Sequence, residues 1–194
     1  VSGEEADAVL DWLRAVRRAL NAGGSTAATA VVPPAFGRPV DVSFDALDCY
    51  PGAESSVIVM EGERVEGDLV SDGEGGSFAG DCGGDLARID LLWGVDVSWK
   101  RGLVFNARIE SALSGSGLWN QAIEDGRCIV PVRAFYETRN VDEGARGRKP
   151  QYRFSNAGGT ALLLAGLCLN DRFVLVTCEP DAVVGRVHSR MPLR

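Results

Sequence analysis

The chain has 194 residues, of which 45% are hydrophobic and 24% are charged, and its formal net charge is -7. These values predict a globular protein and exclude a disordered or fibrous one, while the negative charge argues against nucleic-acid binding over the whole surface. No apolar run approaches the roughly 18 residues of a membrane helix and the N-terminus lacks a signal-peptide pattern, so we expect a cytoplasmic protein.

The first predicted element is an amphipathic helix. Ser2 and Glu5 have the spacing of a capping box, and apolar residues follow at helical spacing until Gly23 and Gly24 end the pattern. These apolar positions are Val9, Trp12, Leu13, Val16 and Leu20. The next stretch, 23–39, is rich in Gly, Ala, Thr and Pro and predicts a long loop.

Strand-like patterns dominate the rest of the chain. A turn at 50–52 precedes a strand at 55–60, and the acidic, glycine-rich segment 66–84 predicts a mobile loop or hairpin tip. Further strand-like runs occupy 91–93, 103–105, 127–131, 151–154, 161–169 and 172–178. A short helix is predicted within 115–125 and an exposed loop at 140–149. We therefore expect one strand-rich α+β domain over 1–194.

Charge is unevenly distributed along the chain. Between residues 41 and 96 there are fourteen acidic residues against Arg64 and Arg88, whereas 99–153 carries ten basic and six acidic residues. The basic part allows a local phosphate-binding face, and a solvated surface of mixed charge is the alternative.

Cysteine and histidine usage argues against metal and disulfide sites. The five cysteines are dispersed without a Cys-x-x-Cys pair, and His188 is the only histidine. A disulfide framework and a zinc site are therefore not expected, and no metal or other cofactor is predicted.

Three short segments carry residues suited to chemistry. Glu137 follows Phe135 and Tyr136, an aromatic context that would bury a carboxylate and raise its pKa, although a simple pairing with Arg139 is equally compatible. Asn106 and Arg108 follow the apolar run 103–105, where they either serve a site or form a buried hydrogen-bond network. His188 is a catalytic candidate or a structural hydrogen-bonding residue.

The order of several short motifs resembles the SRAP (SOS response-associated peptidase) family, from about Tyr50 to the C-terminus. The motifs are Trp93-Gly94, Ser98-Trp99, Phe105-Asn106-Ala107-Arg108-Ile109-Glu110, Gly126-Arg127-Cys128-Ile129-Val130-Pro131, Phe135-Tyr136-Glu137, Lys149-Pro150, Ala165-Gly166-Leu167, Val174-Leu175-Val176-Thr177 and His188-Ser189-Arg190-Met191-Pro192. The resemblance implies a single domain with mixed sheets, a barrel-like core and flanking helices.

The resemblance also implies a function, the recognition of abasic sites in single-stranded DNA. In that family an N-terminal cysteine, exposed by removal of the initiator methionine, forms a thiazolidine crosslink with the opened sugar. It further implies a bacterial, nucleoid-associated protein that acts as a monomer without metal or cofactor.

Residue roles follow from the same resemblance. Asn106 would position the N-terminal amine, Glu137 would be the general acid-base for ring opening, and His188 would assist proton transfer. Arg108 and Arg190 would hold phosphates, with Thr177 close by. Trp93 and Trp99 would stack on bases or flank the strand, and core packing is the alternative for both tryptophans.

The two ends of the chain depart from the family pattern. The family begins Met-Cys-Gly-Arg, whereas this chain begins Val1-Ser2-Gly3 and stops at Arg194, before a further helix and strand of the family. We therefore expect a few residues before Val1 and a segment after Arg194. Thr138 also stands where the family commonly has Trp.

Two other functions remain open from the sequence. One is a non-catalytic module that binds single-stranded DNA without the nucleophile. The other is a thiol peptidase that uses Cys128 or Cys178 with His188, against which stands the apolar run around Cys128, because buried cysteines tend to be inert.

Overall fold

A computed structural model describes residues 1–21, 34–35, 48–60, 85–114, 117–140 and 149–194. The helices are α1 (Gly3–Asn21), α2 (Ile109–Ala112) and α3 (Asn120–Asp125). The strands are β1 (Glu54–Met60), β2 (Leu86–Trp93), β3 (Asn106–Arg108), β4 (Arg127–Val132), β5 (Phe135–Thr138), β6 (Gln151–Phe154), β7 (Leu162–Leu169), β8 (Arg172–Cys178) and β9 (Met191–Pro192). The predicted strand-rich mixture of α and β elements in one domain is confirmed.

The main sheet closes on itself as a small barrel. Its strands run in the order β2-β1-β4-β7-β8, and the start of β8 pairs back to the end of β2 through Leu92 with Arg172 and Trp93 with Phe173. Because side chains alternate along each strand, one set of residues fills the interior and the other faces outward. The interior set includes Val57, Val130, Leu164, Phe173 and Leu175. The expected barrel-like core is therefore present.

Helix α1 covers one outer face of the barrel. Val9 and Leu10 pack on Ile58 and Ala161, all of them buried. The predicted capping box is confirmed, because the Glu5 amide donates to Ser2 Oγ at 3.2 Å and the Ser2 amide donates to Glu5 Oε2 at 2.9 Å. The side chain of Leu20, predicted on the apolar face, lies outside the described residues.

The far half of β8 has different neighbours from its first half. After β2 ends, β3 pairs in parallel with β8, with Asn106 beside Leu175 and Arg108 beside Thr177. On its other side the pairing with β7 stops at Gly166 and Leu175, and β9 pairs Pro192 with Thr177. The barrel wall is thus completed at this end by two short strands that come from distant parts of the chain.

Strands β5 and β6 form a separate two-stranded hairpin, and its phenylalanine side chains extend the apolar cluster inside the barrel. Phe135 stacks on Phe154 with ring centroids 5.1 Å apart, and Phe135 belongs to the interior cluster. Glu137 lies two residues further along β5 and therefore faces the same side as Phe135.

Several predicted elements need correction. The run 103–105 is not a strand, because only Val104 forms an isolated bridge and the strand begins at Asn106, where the backbone reaches β8. The helix predicted within 115–125 is limited to α3, and residues 115–116 lie outside the described part. The strand at 91–93 is longer than predicted, because Arg88 and Asp90 on its outward side hid the pattern. The predicted loops at 23–39, 66–84 and 140–149 fall outside the described residues except at 34–35, 140 and 149.

Candidate active site at the open end of the barrel

Glu137 and His188 meet at the end of the barrel where β8 and β5 finish. The distance between His188 Nδ1 and Glu137 Oε2 is 3.6 Å, and both side chains are mostly buried. Burial raises the pKa of the Glu137 carboxyl, and the nearby His188 offsets only part of that rise. A carboxyl with a raised pKa beside an imidazole is a pair suited to proton transfer near neutral pH.

The His188 ring is fixed by backbone groups on both sides. A short 3-10 helix, Val184–Arg186, precedes the residue, and the His188 amide donates to the Val184 carbonyl at 2.9 Å. The ring Nδ1 lies 2.9 Å from the Arg190 carbonyl and 3.2 Å from the Arg190 amide. Nδ1 faces two acceptors, the Arg190 carbonyl at 2.9 Å and the Glu137 carboxylate at 3.6 Å, and one donor, the Arg190 amide at 3.2 Å. Because the carbonyl is the nearest of the three, we assign the proton of the neutral ring to Nδ1. Nε2 then carries the free lone pair, and no partner for it is recorded within the described residues.

Asn106 and Arg108 reach the same end of the barrel from β3. Their neighbours on β8 are Leu175 and Thr177, so both side chains project on the interior side of the wall, past its buried part. Both residues are exposed, while Ala107 between them is buried against the outer cluster. The alternative of a buried hydrogen-bond network is therefore wrong, because Asn106 and Arg108 are both exposed at the open end of the barrel, which we call the mouth. Among the described residues, Asn106 has no recorded side-chain partner.

Thr177 and Arg190 are held by the protein itself. Thr177 is buried, and its hydroxyl donates to the Ala107 carbonyl at 3.3 Å, which ties β8 to β3. The Arg190 guanidinium donates from Nη1 and Nη2 to the two carboxylate oxygens of Glu110, each at 2.9 Å, and from Nη2 to the Thr177 carbonyl at 2.6 Å. The hydrogen bond to Glu110 raises the pKa of Arg190, and the hydrogen bond from Arg190 lowers the pKa of Glu110.

Comparison of the sequence with known protein families identifies one family. The sequence profile described as SOS response associated peptidase (SRAP) matches residues 50–194, which is most of the chain. The chain belongs to the SRAP family. The family is associated with the SOS response and is peptidase-like in classification. No curated protein matches the chain.

Solved structures similar to this SRAP chain cover only parts of it. A protein from Bacteroides thetaiotaomicron is 21% identical over 54% of this chain and 53% of its own, with a TM-score of 0.44. A phage-related protein from Bordetella bronchiseptica is 31% identical over 58% of this chain and 55% of its own, with a TM-score of 0.43. A second protein from Bordetella bronchiseptica is 20% identical over 74% of this chain and 69% of its own, with a TM-score of 0.48. The chain thus spans just over half the length of the first two.

The two tryptophans of this SRAP chain have different environments. Trp93 is half-buried, stacks against Phe173 at 6.4 Å, meets Phe105 edge-on at 5.8 Å, and donates from Nε1 to the Phe105 carbonyl at 2.9 Å. Core packing thus holds for Trp93. Trp99 is 71% exposed, so core packing is wrong for Trp99. It borders an open cleft of about 480 Å³ that is also lined by Glu110, Ser111, Ser114, Leu118 and Trp119.

The cysteine alternatives find little support in the geometry. Cys128 is buried in the barrel interior, and its hydrogen bond with Cys168 together with burial raises the pKa of the Cys128 thiol well above the ordinary value. Such a thiol carries almost no thiolate, which agrees with the inert cysteine expected from its apolar run. Cys178 lies at the end of β8, and no contact between its thiol and His188 is recorded in the described ranges.

Neither a metal-binding cluster nor a membrane-spanning helix is found in the part of the chain that the structure describes. There, three or more His, Cys, Asp or Glu side chains do not gather in an arrangement that could hold a metal ion. Likewise, no helix there is both long and apolar enough to cross a membrane.

Glu110 is the residue of this site to which sequence reasoning assigned no role. It stands in the motif that begins at Phe105, two residues after Arg108, in the first turn of α2. A sequence signal did exist, because Glu110 is an acidic residue within the same short motif as the candidates Asn106 and Arg108. Its partner could not be chosen, since Arg190 is eighty residues away.

Proposed function

We propose that this SRAP chain acts on abasic sites in single-stranded DNA, with Glu137 and His188 as the proton-transfer pair. The observation that carries the proposal is the Glu137 carboxyl, whose pKa is raised by burial and which lies 3.6 Å from His188 Nδ1. Opening the abasic sugar moves a proton from the anomeric hydroxyl to the ring oxygen, and a carboxyl with a raised pKa serves both transfers near neutral pH.

The crosslinking chemistry needs an amine and a thiol on one N-terminal cysteine. The amine adds to the sugar aldehyde and water leaves, which gives an imine. The sulfur then adds to the imine carbon, and its proton passes to the nitrogen as the thiazolidine ring closes. The exposure of Asn106 supports a role in placing the amine. His188 Nε2, which has the free lone pair, would accept the proton that the amine nitrogen loses, and the protonated Glu137 carboxyl would supply the proton with which the hydroxyl leaves as water.

DNA binding is proposed to use the exposed groups around the mouth. Arg108 projects from β3 beside Thr177, where its planar guanidinium suits a phosphate. Arg190 is already paired with Glu110, so its assignment to a phosphate requires DNA to displace that carboxylate. Thr177 would support the site through the hydrogen bond of its hydroxyl to the Ala107 carbonyl of β3. Trp93 would support it through its hydrogen bond to the Phe105 carbonyl, which directly precedes β3.

A crosslinking assay with the complete open reading frame tests the proposal. The N-terminal residue is read by intact mass, and the protein is incubated with labelled single-stranded DNA that carries one abasic site. We expect a covalent band on a denaturing gel that disappears when the N-terminal cysteine is replaced by alanine. No covalent band, with the DNA still retained on a native gel, would contradict crosslinking.

A second candidate function, a non-catalytic module for single-stranded DNA, is favoured by one observation. Trp99 is exposed on an open cleft with Leu118 and Trp119, and aromatic side chains in such positions stack on bases without any nucleophile. Trp99→Ala should weaken binding of undamaged single-stranded DNA by roughly tenfold, since one stacked base contributes about 1–3 kcal/mol. Fluorescence anisotropy measures this, with Tyr50→Ala as the control for another exposed aromatic residue.

A further inference from the structure

The contact between Glu110 and Arg190 connects three segments that build the site. Glu110 lies in the first turn of α2, which follows β3, and Arg190 directly precedes β9. The third hydrogen bond of the Arg190 guanidinium reaches the carbonyl of Thr177 on β8. The Arg190 side chain is mostly buried, and its Nε is buried without a recorded partner in the described chain. The Glu110 carboxylate is the acidic partner of this guanidinium, from which it accepts two parallel hydrogen bonds of 2.9 Å.

The backbone of Arg190 is what fixes the His188 ring. Its carbonyl and amide lie 2.9 and 3.2 Å from His188 Nδ1. A rotation of the Arg190 backbone would move the Arg190 carbonyl away from Nδ1. The ring would then lose the acceptor that favours a proton on Nδ1. A continuous series of contacts therefore runs from Glu110 through Arg190 and His188 to Glu137.

We infer that Glu110 is a positioning residue, which holds Arg190 and thereby sets the tautomer and orientation of His188. This inference deepens the proposed function and rests on it for its effect on crosslinking. Both carboxylate oxygens of Glu110 accept hydrogen bonds from Arg190, and such a bidentate pair fixes the guanidinium more firmly than a single contact would. Glu110 has no contact with the reacting atoms in this assignment and acts only through Arg190.

The test uses Glu110→Ala and Glu110→Gln in the complete chain, with Glu124→Gln as a matched control on the exposed face of α3. His188 is the only histidine in the 194-residue sequence, and in protein prepared without a histidine tag its ring signals in a long-range ¹H–¹⁵N spectrum are identified by their loss in His188→Gln. At a pH of about 8.5, where a histidine of ordinary pKa is neutral, the wild-type and control rings should show a proton on Nδ1. Glu110→Ala should shift the ring towards the Nε2–H tautomer, and Glu110→Gln should lie between, because an amide offers one acceptor oxygen instead of two.

Crosslinking gives the second readout. At saturating DNA, Glu110→Ala should lower the single-turnover crosslinking rate by roughly tenfold, as loss of a supporting contact around a reactive group does, while Glu124→Gln leaves it unchanged. Urea unfolding shows whether each variant is folded. If Glu110→Ala does not fold, Glu110→Gln still tests the inference. A ring spectrum and rate equal to those of the control would overturn the inference, and so would faster crosslinking, which would mean that Glu110 competes with DNA phosphates for Arg190.

The two readouts separate this inference from the proposed function. The ring spectrum is recorded without DNA, so a ring that responds to Glu110 in a protein that never crosslinks would support the positioning role and reject the proposed chemistry. A protein that crosslinks with a ring indifferent to Glu110 would support the chemistry and reject the positioning role.

Discussion

Glu5 and Glu137 are two glutamates of nearly equal exposure that the fold treats in opposite ways. Their side chains are 19% and 20% exposed, respectively. Burial raises the pKa of Glu5, but the Ser2 amide and the Arg133 guanidinium outweigh burial and the net pKa is lowered. For Glu137 burial prevails and the pKa is raised. Hydrogen-bond donors, and not exposure alone, thus decide which carboxylate is held charged and which is ready to accept a proton.

The difference also separates a structural region from a reactive one. Glu5 belongs to the capping box of α1 and pairs with Arg133, so its charged form stabilises the packing of the helix on the barrel. For Glu137 the one charged partner found among the described residues is His188, whose Nδ1 lies 3.6 Å from the Glu137 carboxylate. The comparison predicts that changes at Glu137 affect chemistry and changes at Glu5 affect stability.

The largest expected effect is on crosslinking by Glu137→Gln. The amide cannot exchange a proton, so the single-turnover rate should fall by about a hundredfold or more, the usual contribution of a general acid-base. Quantified denaturing gels at saturating abasic DNA measure the rate, and Glu5→Gln serves as the control at equal burial. A loss of less than about threefold, below the range of such catalysis, would remove Glu137 from the proton-transfer role.

A smaller effect, on stability, is expected for Glu5→Ala. The variant loses the capping box and leaves Arg133 without its carboxylate, so the free energy of unfolding should fall by about 1–2 kcal/mol. Urea unfolding followed by circular dichroism measures it. Crosslinking at saturating DNA should be preserved, and an equal loss in both assays would end the distinction between the two regions.

The pH dependence of the Glu5 contribution has a definite sign. Because the folded pKa of Glu5 is lowered, its charged form stabilises the protein above the ordinary carboxyl pKa, and this stability is lost as pH falls through the folded value. The stability difference between the wild type and Glu5→Gln should therefore be full at pH 7 and shrink on acidification. A difference that does not depend on pH would show that the pair acts through packing instead of charge.

The smallest expected effect has the opposite sign and belongs to Glu137. Its raised pKa means that folding favours the protonated form, so the charged carboxylate costs stability as pH rises above the ordinary carboxyl pKa. Glu137→Gln should therefore be slightly more stable than the wild type at pH 7 and equal to it at a pH below both values. A variant less stable at pH 7 would indicate that the charged form is satisfied by His188.

Much of this protein could be predicted from the sequence alone. Spacing predicts α1 and its cap, apolar runs predict β1, β4, β7 and β8, and the order of several motifs along the chain indicates the SRAP family. These features are local, or depend on motifs that keep their order along the chain. The roles of Asn106, Glu137 and His188 stay predictions until the assays are done.

The tertiary structure decided which residues meet. The separation of β8 from β2 and β7 near Thr177 lets β3 and β9 approach it, and that is why Arg190 reaches Glu110. No periodicity encodes a contact across eighty residues, because the pairing depends on the closure of the barrel. The same closure packs half-buried Trp93 against the interior cluster, whereas Trp99, six residues further along the chain, is exposed.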